Sequence, residues 1–184
     1  MSDEIYVSTL EYASNYDHSA LVTGIARTYT QRGIAVRSEP LVPGGRRADL
    51  AVDLDGNWTY IEVKTRNVCV DNQNMAFRKK SLRELLRLRA HSLKQLPRKE
   101  SALAVLSTSP SANRRRALTR IAIARRFGDR FFDEDSDNII GVMIFAPFRS
   151  SNSRTGWGYA SAMIANPKWI NPGEDFDKLA AVQL

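Results

Sequence analysis

Hydrophobic and polar residues alternate over residues 49–64, and this alternation predicts a β-hairpin. Asp55-Gly56 is a strong two-residue turn signal, because a type I′ turn requires positive φ at both central positions. Counting outward from that turn places Asp49 directly opposite Glu62. The face of the hairpin that we expect to pack into the core is apolar and comprises Leu50, Val52, Leu54, Ile61 and Val63.

The segments on either side of the hairpin predict further helices and strands. A first helix opens at the capping box Ser8–Glu11, or later at Asp17 or His18, and stops near Gly33. The other predicted elements, in chain order, are a strand at Ile34–Arg37, the hairpin, a helix from Ser81 to Pro97 with Ser81 and Glu84 as a capping box, a strand at Ala102–Thr108, a helix from Ser109 or Ser111 to Gly128, a strand at Ile139–Phe145 and an antiparallel strand at Gly156–Ile164. Strands mixed with crossover helices indicate an α/β fold with a mixed central β-sheet flanked by helices. We expect the tail after Pro167 to wrap the surface.

Composition favours a single globular domain over residues 1–184, because a chain of 184 residues suffices for a sizeable core. Hydrophobic residues make up 43% and charged residues 26% of the sequence, which is ordinary for a globular protein. No apolar run approaches the about 20 residues of a membrane span, and the acidic start Met1–Glu4 lacks the pattern of a signal peptide. We therefore expect a cytoplasmic protein that does not associate with membranes.

The cysteine and histidine content argues against two kinds of site. Cys69 is the single cysteine, so an internal disulfide framework and a cysteine-rich metal site are excluded. With His18 and His91 as the two histidines, a structural zinc site is not expected. The net charge of +7 instead favours a polyanionic partner such as a nucleic acid.

Two carboxylates and a lysine fall on the polar face of the predicted hairpin. Cross-strand partners have Cβ atoms about 4.5–5.5 Å apart, so Asp49 and Glu62 would repel each other unless a cation joins them. Magnesium is commonly held by one or two carboxylates together with waters and substrate phosphates. Lys64 follows Glu62 by two residues and therefore lies on the same face. The alternative interpretation is a solvated hairpin face on which these three charges occur together by chance.

This element order, with Asp49 on the second strand and Glu62-Val63-Lys64 on the third, resembles the PD-(D/E)XK nuclease superfamily. That family has the restriction-endonuclease-like fold, with elements in the order α-β-β-β-α-β-α-β. Ala48 stands where the family motif has a proline, which many members lack.

The resemblance covers most of the chain. It extends over about residues 8–148 as a nuclease-like core, and residues 149–184 add a C-terminal strand and the tail.

The resemblance implies a role for each motif residue. Asp49 and Glu62 would hold a divalent cation, Mg²⁺ or Mn²⁺, and the backbone carbonyl of Val63 would add a ligand. Lys64 would position or activate the attacking water. Many members carry a further acid on the first helix, for which Glu11 is the candidate here.

Elementary chemistry agrees with phosphodiester hydrolysis at such a site. Hydrolysis needs charge stabilisation at the phosphate and a water made nucleophilic, and a divalent ion supplies both. The ammonium group of Lys64 can stabilise developing negative charge, and beside two carboxylates we expect it to stay charged. Some members of the family also carry a glutamine on the next helix that faces the site. Gln95 is the candidate, and an ordinary exposed glutamine is the alternative.

Three basic clusters are candidates for nucleic-acid binding. They lie in the loop before Asp49, on the second helix and its entry, and at the start of the third helix, and they comprise Arg46, Arg47, Arg78, Lys79, Lys80, Arg83, Arg114, Arg115 and Arg116. Cations at a helix N-terminus oppose the macrodipole, and a bound phosphate would compensate for them. Solvated helix faces are the alternative. Trp58 and Tyr60 would either stack on a splayed base or pack under the first helix.

The leading hypothesis is a Mg²⁺-dependent endodeoxyribonuclease that hydrolyses phosphodiester bonds of DNA. The first alternative is a nucleic-acid-binding protein that keeps the nuclease fold without turnover, and the second is a structural subunit of a larger complex. The sequence leaves RNA open as a substrate. The resemblance also implies a homodimer, because cleavage of a duplex needs two centres.

Overall fold

The computed structural model describes residues 6–8, 18–66, 76–133, 136–151, 156–169 and 178–179. Within them the strands are β1 (Tyr6–Ser8), β2 (Val36–Ser38), β3 (Leu41–Val42), β4 (Arg46–Arg47), β5 (Leu50–Leu54), β6 (Asn57–Thr65), β7 (Ala102–Ser107), β8 (Ile139–Arg149) and β9 (Trp157–Ala165). The helices are α1 (His18–Gln31), α2 (Ala76–Leu93) and α3 (Arg114–Arg126), followed by a short 3₁₀ helix at Gly128–Phe131. Among these residues, no helix is long and apolar enough to cross a membrane.

Seven of these strands form one mixed sheet, in the order β1-β9-β8-β7-β6-β5-β2. Strands β6, β7 and β8 run parallel to one another, and the remaining neighbours are antiparallel. Helices α2 and α3 make the two crossover connections that parallel neighbours require. Strands β3 and β4 form a separate hairpin beside the sheet. The predicted mixed α/β sheet flanked by helices is therefore confirmed, as is the antiparallel pairing of β9 with β8.

The register that we predicted for the central hairpin is also confirmed. Asp55 and Gly56 have φ angles of 53° and 90°, which are both positive as a type I′ turn requires. Strands β5 and β6 pair outward from that turn to Leu50↔Ile61. Asp49 immediately precedes this last pair, at the end of the hairpin remote from the turn.

Helix α1 covers one face of the sheet. It begins at His18, the later of the predicted starts, and it buries Leu21, Ile25 and Tyr29, which lie four residues apart on one side of the helix. These side chains pack on the apolar face of the β5–β6 hairpin and on residues of β7, β8 and β9. Each buried side chain of this size contributes about 1.5–3 kcal/mol relative to an exposed one.

Helices α2 and α3 cover the opposite face, on which Glu62 lies. The face is not solvated, because apolar side chains of both helices pack against β6, β7 and β8 and leave Glu62 only 1% exposed. The interpretation of a solvated hairpin face is therefore wrong. Tyr60 packs against this same cluster, so the expectation that it lies under the first helix is wrong too.

Helix α2 begins at Ala76, before the predicted start at Ser81. Ser81 and Glu84 are therefore helix-interior residues and do not form a capping box. The buried carboxylate of Glu84 accepts hydrogen bonds from the N–H and hydroxyl of Ser109, at 2.7 and 2.6 Å. It also pairs with the buried guanidinium of Arg120 at 3.2 Å. A capping box is a local signal, and here two distant partners engage the carboxylate instead.

The start of α3 also differs from the prediction. Asn113 caps the helix, and its side-chain oxygen accepts a hydrogen bond from the N–H of Arg116 at 3.0 Å. Ser111, one of the two predicted caps, instead pairs with the end of β8 through its backbone, where its N–H donates to the carbonyl of Pro147 at 2.8 Å. The extended pairing places Ser111 outside the helix.

The tail does not simply wrap the surface as predicted. Leu179 is fully buried in the core on the α1 side of the sheet. The hydroxyl of Tyr29 donates a hydrogen bond to the carbonyl of Leu179 at 3.1 Å. The mixed charge and prolines of the tail gave no indication that Leu179 packs in the core.

Replacing Leu179 with alanine should lower the free energy of unfolding by about 2–5 kcal/mol, because it leaves a cavity in the core. Urea-induced unfolding measures the change. Lys178→Ala is the matched control, because the ion pair of Lys178 with Asp55 is partly exposed and its loss should cost at most about 1 kcal/mol. Equally small effects of both substitutions would contradict the packing of Leu179.

Candidate functional site

Asp49 immediately precedes β5, and its carboxylate accepts a hydrogen bond that a longer β5 would have accepted from β6 through its backbone. The Oδ2 atom of Asp49 accepts a hydrogen bond from the N–H of Val63 at 2.8 Å. The backbone carbonyl of Asp49 accepts another from the N–H of Glu39 at 3.0 Å. Backbone and side chain are thus both fixed, and the carboxylate is held at the edge of β6.

Glu62 lies between the sheet and helix α2. The hydroxyl of Ser92 on α2 donates a hydrogen bond to the backbone carbonyl of Glu62 at 3.2 Å. The Oε1 atom of Glu62 accepts from Lys64, whereas its Oε2 atom is buried and has no hydrogen-bond partner among the described residues. An unpartnered buried carboxylate oxygen is costly. Lys64 therefore satisfies one oxygen of Glu62, and the other oxygen has room for a cation or a further donor.

Lys64 is held between two acceptors. Its ammonium group donates to Oε1 of Glu62 and, at 2.6 Å, to the side-chain oxygen of Gln95. Gln95 lies two residues beyond the end of α2, so the structure brings this predicted residue to the motif lysine. The two acceptors fix the position of the ammonium group beside the acids.

His18 is the residue of this site that the sequence reasoning missed. Its Nε2 atom lies 3.3 Å from Oδ2 of Asp49 and 3.1 Å from the backbone oxygen of Val63. Both oxygens are acceptors, so Nε2 carries a hydrogen and shares it between them. The candidate first-helix acid, Glu11, lies outside the described residues. The signal that could have found His18 was its position at the alternative helix start, on the element expected to supply a ligand.

The pKa values of the two acids of the site are shifted in opposite directions. Burial raises the pKa of Glu62, and the negative charge of Asp49 adds to this, although the hydrogen bond from Lys64 opposes it. Burial alone would also raise the pKa of Asp49, but hydrogen bonds from His18 and the Val63 N–H hold it below its usual value. The hydrogen bond to Asp49 in turn raises the pKa of His18, against the effect of burial. Burial and repulsion by Asp49 therefore disfavour the ionised form of Glu62, and a bound cation would offset both effects.

The donor atoms fit a hard divalent cation. In the part of the chain that the structure describes, no three His, Cys, Asp or Glu side chains form a metal-binding group. Oxygen donors are nevertheless available on both acids and on the backbone of Val63, and Oε2 of Glu62 is otherwise unsatisfied. Magnesium needs only one or two carboxylates, because waters and phosphates complete its shell.

The residues predicted to bind nucleic acid lie on three different elements of the structure. Exposed side chains are found on β4, α2 and the start of α3, at Arg46, Arg47, Arg83, Arg114 and Arg115, and Arg116 is half-buried. The side chains of Arg78, Lys79 and Lys80, at the start of α2, lie outside the described part of the structure. Trp58 is half-buried and lies 3.9 Å beneath the guanidinium of Arg37, which occupies its ring face.

Comparisons with known proteins give only distant likenesses. No protein-family model and no curated protein matches the chain. A crystallised protein of unknown function, AF1548, has 16% sequence identity and a TM-score of 0.29, with 54% of this chain and 53% of that chain covered. Pyrococcus furiosus SfsA in complex with Ca²⁺ has 11% identity and a TM-score of 0.33, with 80% of this chain and 62% of that chain covered. The chain thus spans less than two thirds of either protein, and neither likeness bears on its activity.

Manganese should raise the midpoint of thermal unfolding of the wild-type protein, because a ligand bound only by the folded state stabilises it. The gain is about 2.7 kcal/mol at a free metal concentration of 100 times Kd. Asp49→Asn and Glu62→Gln should each lose most of this shift in a thermal-unfolding assay.

Asp129→Asn is the control, because Asp129 is an exposed acid of the 3₁₀ helix and should leave the manganese shift unchanged. In chelator, Glu62→Gln should be at least as stable as the wild type, because it removes a buried like charge. An identical manganese shift in all four proteins would exclude this site as the metal site.

Proposed function

We propose that the protein is a metal-dependent nuclease that hydrolyses phosphodiester bonds of DNA. The observation that carries this proposal is the buried Oε2 atom of Glu62, which has no hydrogen-bond partner among the described residues, in a carboxylate whose pKa is raised by burial and by the negative charge of Asp49. Stability alone would not favour such a pair, since like charges repel and burial raises the cost. A bound divalent cation removes both penalties.

The residues that would hold the cation are Asp49, Glu62 and the backbone carbonyl of Val63. His18 is a further candidate ligand, because its Nε2 atom lies within 3.3 Å of Oδ2 of Asp49 and of the Val63 oxygen and would bind the cation after losing the hydrogen that it shares between them. Imidazole nitrogen and carboxylate oxygen are common ligands of divalent metals in catalytic sites. A bound Mg²⁺ or Mn²⁺ would acidify a water molecule and neutralise charge on a phosphate.

Lys64 would place a positive charge next to the scissile phosphate. Its ammonium group is oriented by Glu62 and Gln95, and it would stabilise the negative charge that develops on the phosphoryl oxygens or orient the attacking water. Gln95 acts through Lys64, because it accepts a hydrogen bond without adding a charge to the site. It is therefore proposed as a positioning residue.

The resemblance to the PD-(D/E)XK superfamily supports the same function. Asp49 immediately precedes one strand of an antiparallel pair, and Glu62-Val63-Lys64 lies on the other, within a mixed sheet covered by helices on both faces. Membership of that superfamily, the restriction-endonuclease-like order of elements and the homodimer that it implies stay proposals. The net charge of +7 supports DNA as the substrate, and RNA is the alternative polyanion.

The second candidate is a DNA-binding protein of the same fold that does not cleave. The direct ion pair between Lys64 and Glu62 favours it, because this contact satisfies one oxygen of Glu62 without any metal. Binding without cleavage in the presence of manganese would support this candidate.

Wild-type protein incubated with linear, branched and single-stranded DNA should cleave at least one form when Mg²⁺ or Mn²⁺ is present, and none in EDTA. Asp49→Ala and Lys64→Ala should each lower the cleavage rate about 100-fold or more, because each removes charge that stabilises the reacting phosphate. Gel electrophoresis of end-labelled DNA measures the rate.

Thermal unfolding must show that both variants are folded, and Asp129→Asn should cleave at the wild-type rate. Metal-dependent cleavage that persists in both variants would falsify the assignment of the site.

Gln95→Ala should lower kcat about 10-fold with little change in KM, because loss of an outer partner misplaces Lys64 without removing it. Gln95→Glu keeps an acceptor oxygen at this position and should restore most of the rate. His91→Ala, an exposed position in the last turn of α2, is the matched control and should behave as the wild type. Equal loss in Gln95→Glu and Gln95→Ala would argue against positioning through the hydrogen bond.

A further inference from the structure

A groove of about 990 Å³ lies beside the candidate site, between the β3–β4 hairpin and the segment that follows α2. One wall consists of residues of the hairpin, from Val42 to Arg46. The other wall consists of the end of α2 and residues up to Glu100. The loop before β8 closes the groove with Asp137, Asn138 and neighbouring residues.

The pairing within the hairpin determines which arginine faces the groove. Val42 pairs with Arg46, and both line the groove, where Val42 is buried. Leu41 pairs with Arg47, and neither lines it. Leu41 is 65% exposed, and the guanidinium of Arg47 lies 4.0 Å from the carboxylate of Glu39. Two adjacent arginines thus lie on opposite faces of the hairpin.

The charge of the groove is positive. Four cations line it, namely Arg46, Lys94, Arg98 and Lys99. None of them forms an ion pair with any described residue.

The acids of the groove are largely compensated by cations from outside it. Asp133 pairs with Arg89 at 2.7 Å, and Asp137 pairs with Lys168 at 3.2 Å. Of the acids that line the groove, only Glu100 has no ion pair with a described residue. The four cations are therefore available to an external anion.

The groove adjoins the candidate site through both of its walls. The hairpin wall is followed directly by Asp49, and the N–H of Ala48 donates to the carbonyl of Pro40 at 3.2 Å, which closes the base of the hairpin. The opposite wall contains Lys94 and Leu96, which flank Gln95, the partner of Lys64. A polyanion in the groove is thereby led toward the two acids and the lysine.

The basic start of α3 is a separate surface. Glu100, on the wall of the groove, precedes β7, whereas Arg114 follows β7. Strand β7 has 6 residues and is therefore roughly 20 Å long. Glu62 pairs with Ala104 in the middle of β7. Along the direction of β7, the candidate site therefore lies between the groove and the basic start of α3.

We propose that the groove binds the phosphate backbone of double-stranded DNA through Arg46, Lys94, Arg98 and Lys99, and guides it to the site. This proposal rests on the proposed nuclease function. Proteins that hold single strands combine basic residues with aromatic side chains on which bases stack. The described lining of the groove contains aliphatic residues, prolines and cations but no aromatic ring. Such a surface suits a duplex, whose bases are already stacked and whose phosphates face outward.

The test is equilibrium binding of a fluorescein-labelled 30-base-pair duplex to the purified full chain, in EDTA so that the DNA stays intact. Combining Arg46→Ala, Arg98→Ala and Lys99→Ala should weaken binding about 10- to 100-fold near physiological salt. The slope of log K against log salt should also fall by about three, because three phosphate contacts are lost. Arg47→Ala is the matched control and should change affinity less than about threefold.

Thermal unfolding checks that each variant is folded. Wild-type affinity of the triple variant, or an equal loss in Arg47→Ala, would overturn the proposal. Stronger binding of a single strand than of the duplex would overturn the assignment of the substrate class. Displacement of the duplex by polyglutamate as effective as displacement by unlabelled DNA would instead identify the groove as a binding surface for acidic proteins.

Lys64→Ala separates this proposal from the proposed function, because it removes at most one phosphate contact and should weaken duplex binding far less than the triple variant does, while failing to cleave the DNA. If no metal-dependent cleavage occurs but the groove variants lose duplex binding, the groove assignment stands and the nuclease function fails. If wild-type protein cleaves and the groove variants still bind the duplex normally, the groove assignment fails and the function stands.

Discussion

The hydrogen bond from the Val63 N–H to the carboxylate of Asp49 is the contact on which the candidate site depends. Strand β5 begins at Leu50, so this amide of β6 would otherwise face an empty strand position, and Asp49 supplies the acceptor. The type I′ turn at the other end of the hairpin sets the register that makes this contact possible. A shift of one residue would turn Asp49 to the opposite face of the sheet.

Helices cover both faces of the sheet, and this burial brings the polar residues of the hairpin into a partly desolvated site. Helix α2 covers Glu62 and supplies Ser92, while the residues after it supply Gln95; helix α1 supplies His18 from the other side of the sheet. Four charged or titratable groups therefore meet in a partly desolvated space, where their interactions are stronger than in water. Proteins concentrate such unfavourable charge at functional sites, because packing elsewhere stabilises the fold.

The β3–β4 hairpin links this site to a basic surface. It precedes Asp49 directly, and strand alternation directs Arg46 into the groove and Arg47 away from it. Acids in the groove are compensated by Arg89 and Lys168, so its field stays positive although acidic residues line it. The basic groove and the carboxylates of the candidate site thereby lie on adjoining but separate elements.

Sequence alone determined the parts of this protein that depend on neighbours in the chain. The Asp55-Gly56 turn, the register of β5 and β6, and the placement of Asp49, Glu62 and Lys64 at one hairpin end follow from backbone sterics and a period of two. The apolar runs of β7, β8 and β9 were recognisable for the same reason, as were the approximate positions of the helices. Gln95 was identified only through the family resemblance, and its contact with Lys64 agrees with that identification.

Tertiary structure decided the rest, because the interactions concerned join residues far apart in sequence. Glu84 has the spacing of a capping residue, yet its partners are Ser109 and Arg120, which only the packing of α2 against α3 brings near. Leu179 is buried in the core, and its carbonyl accepts a hydrogen bond from Tyr29, a residue 150 positions earlier in the chain. His18 reaches the site because α1 crosses behind β6, and no periodicity encodes that crossing. Local geometry thus determined where Asp49, Glu62 and Lys64 lie on the hairpin, and long-range packing determined which residues surround them.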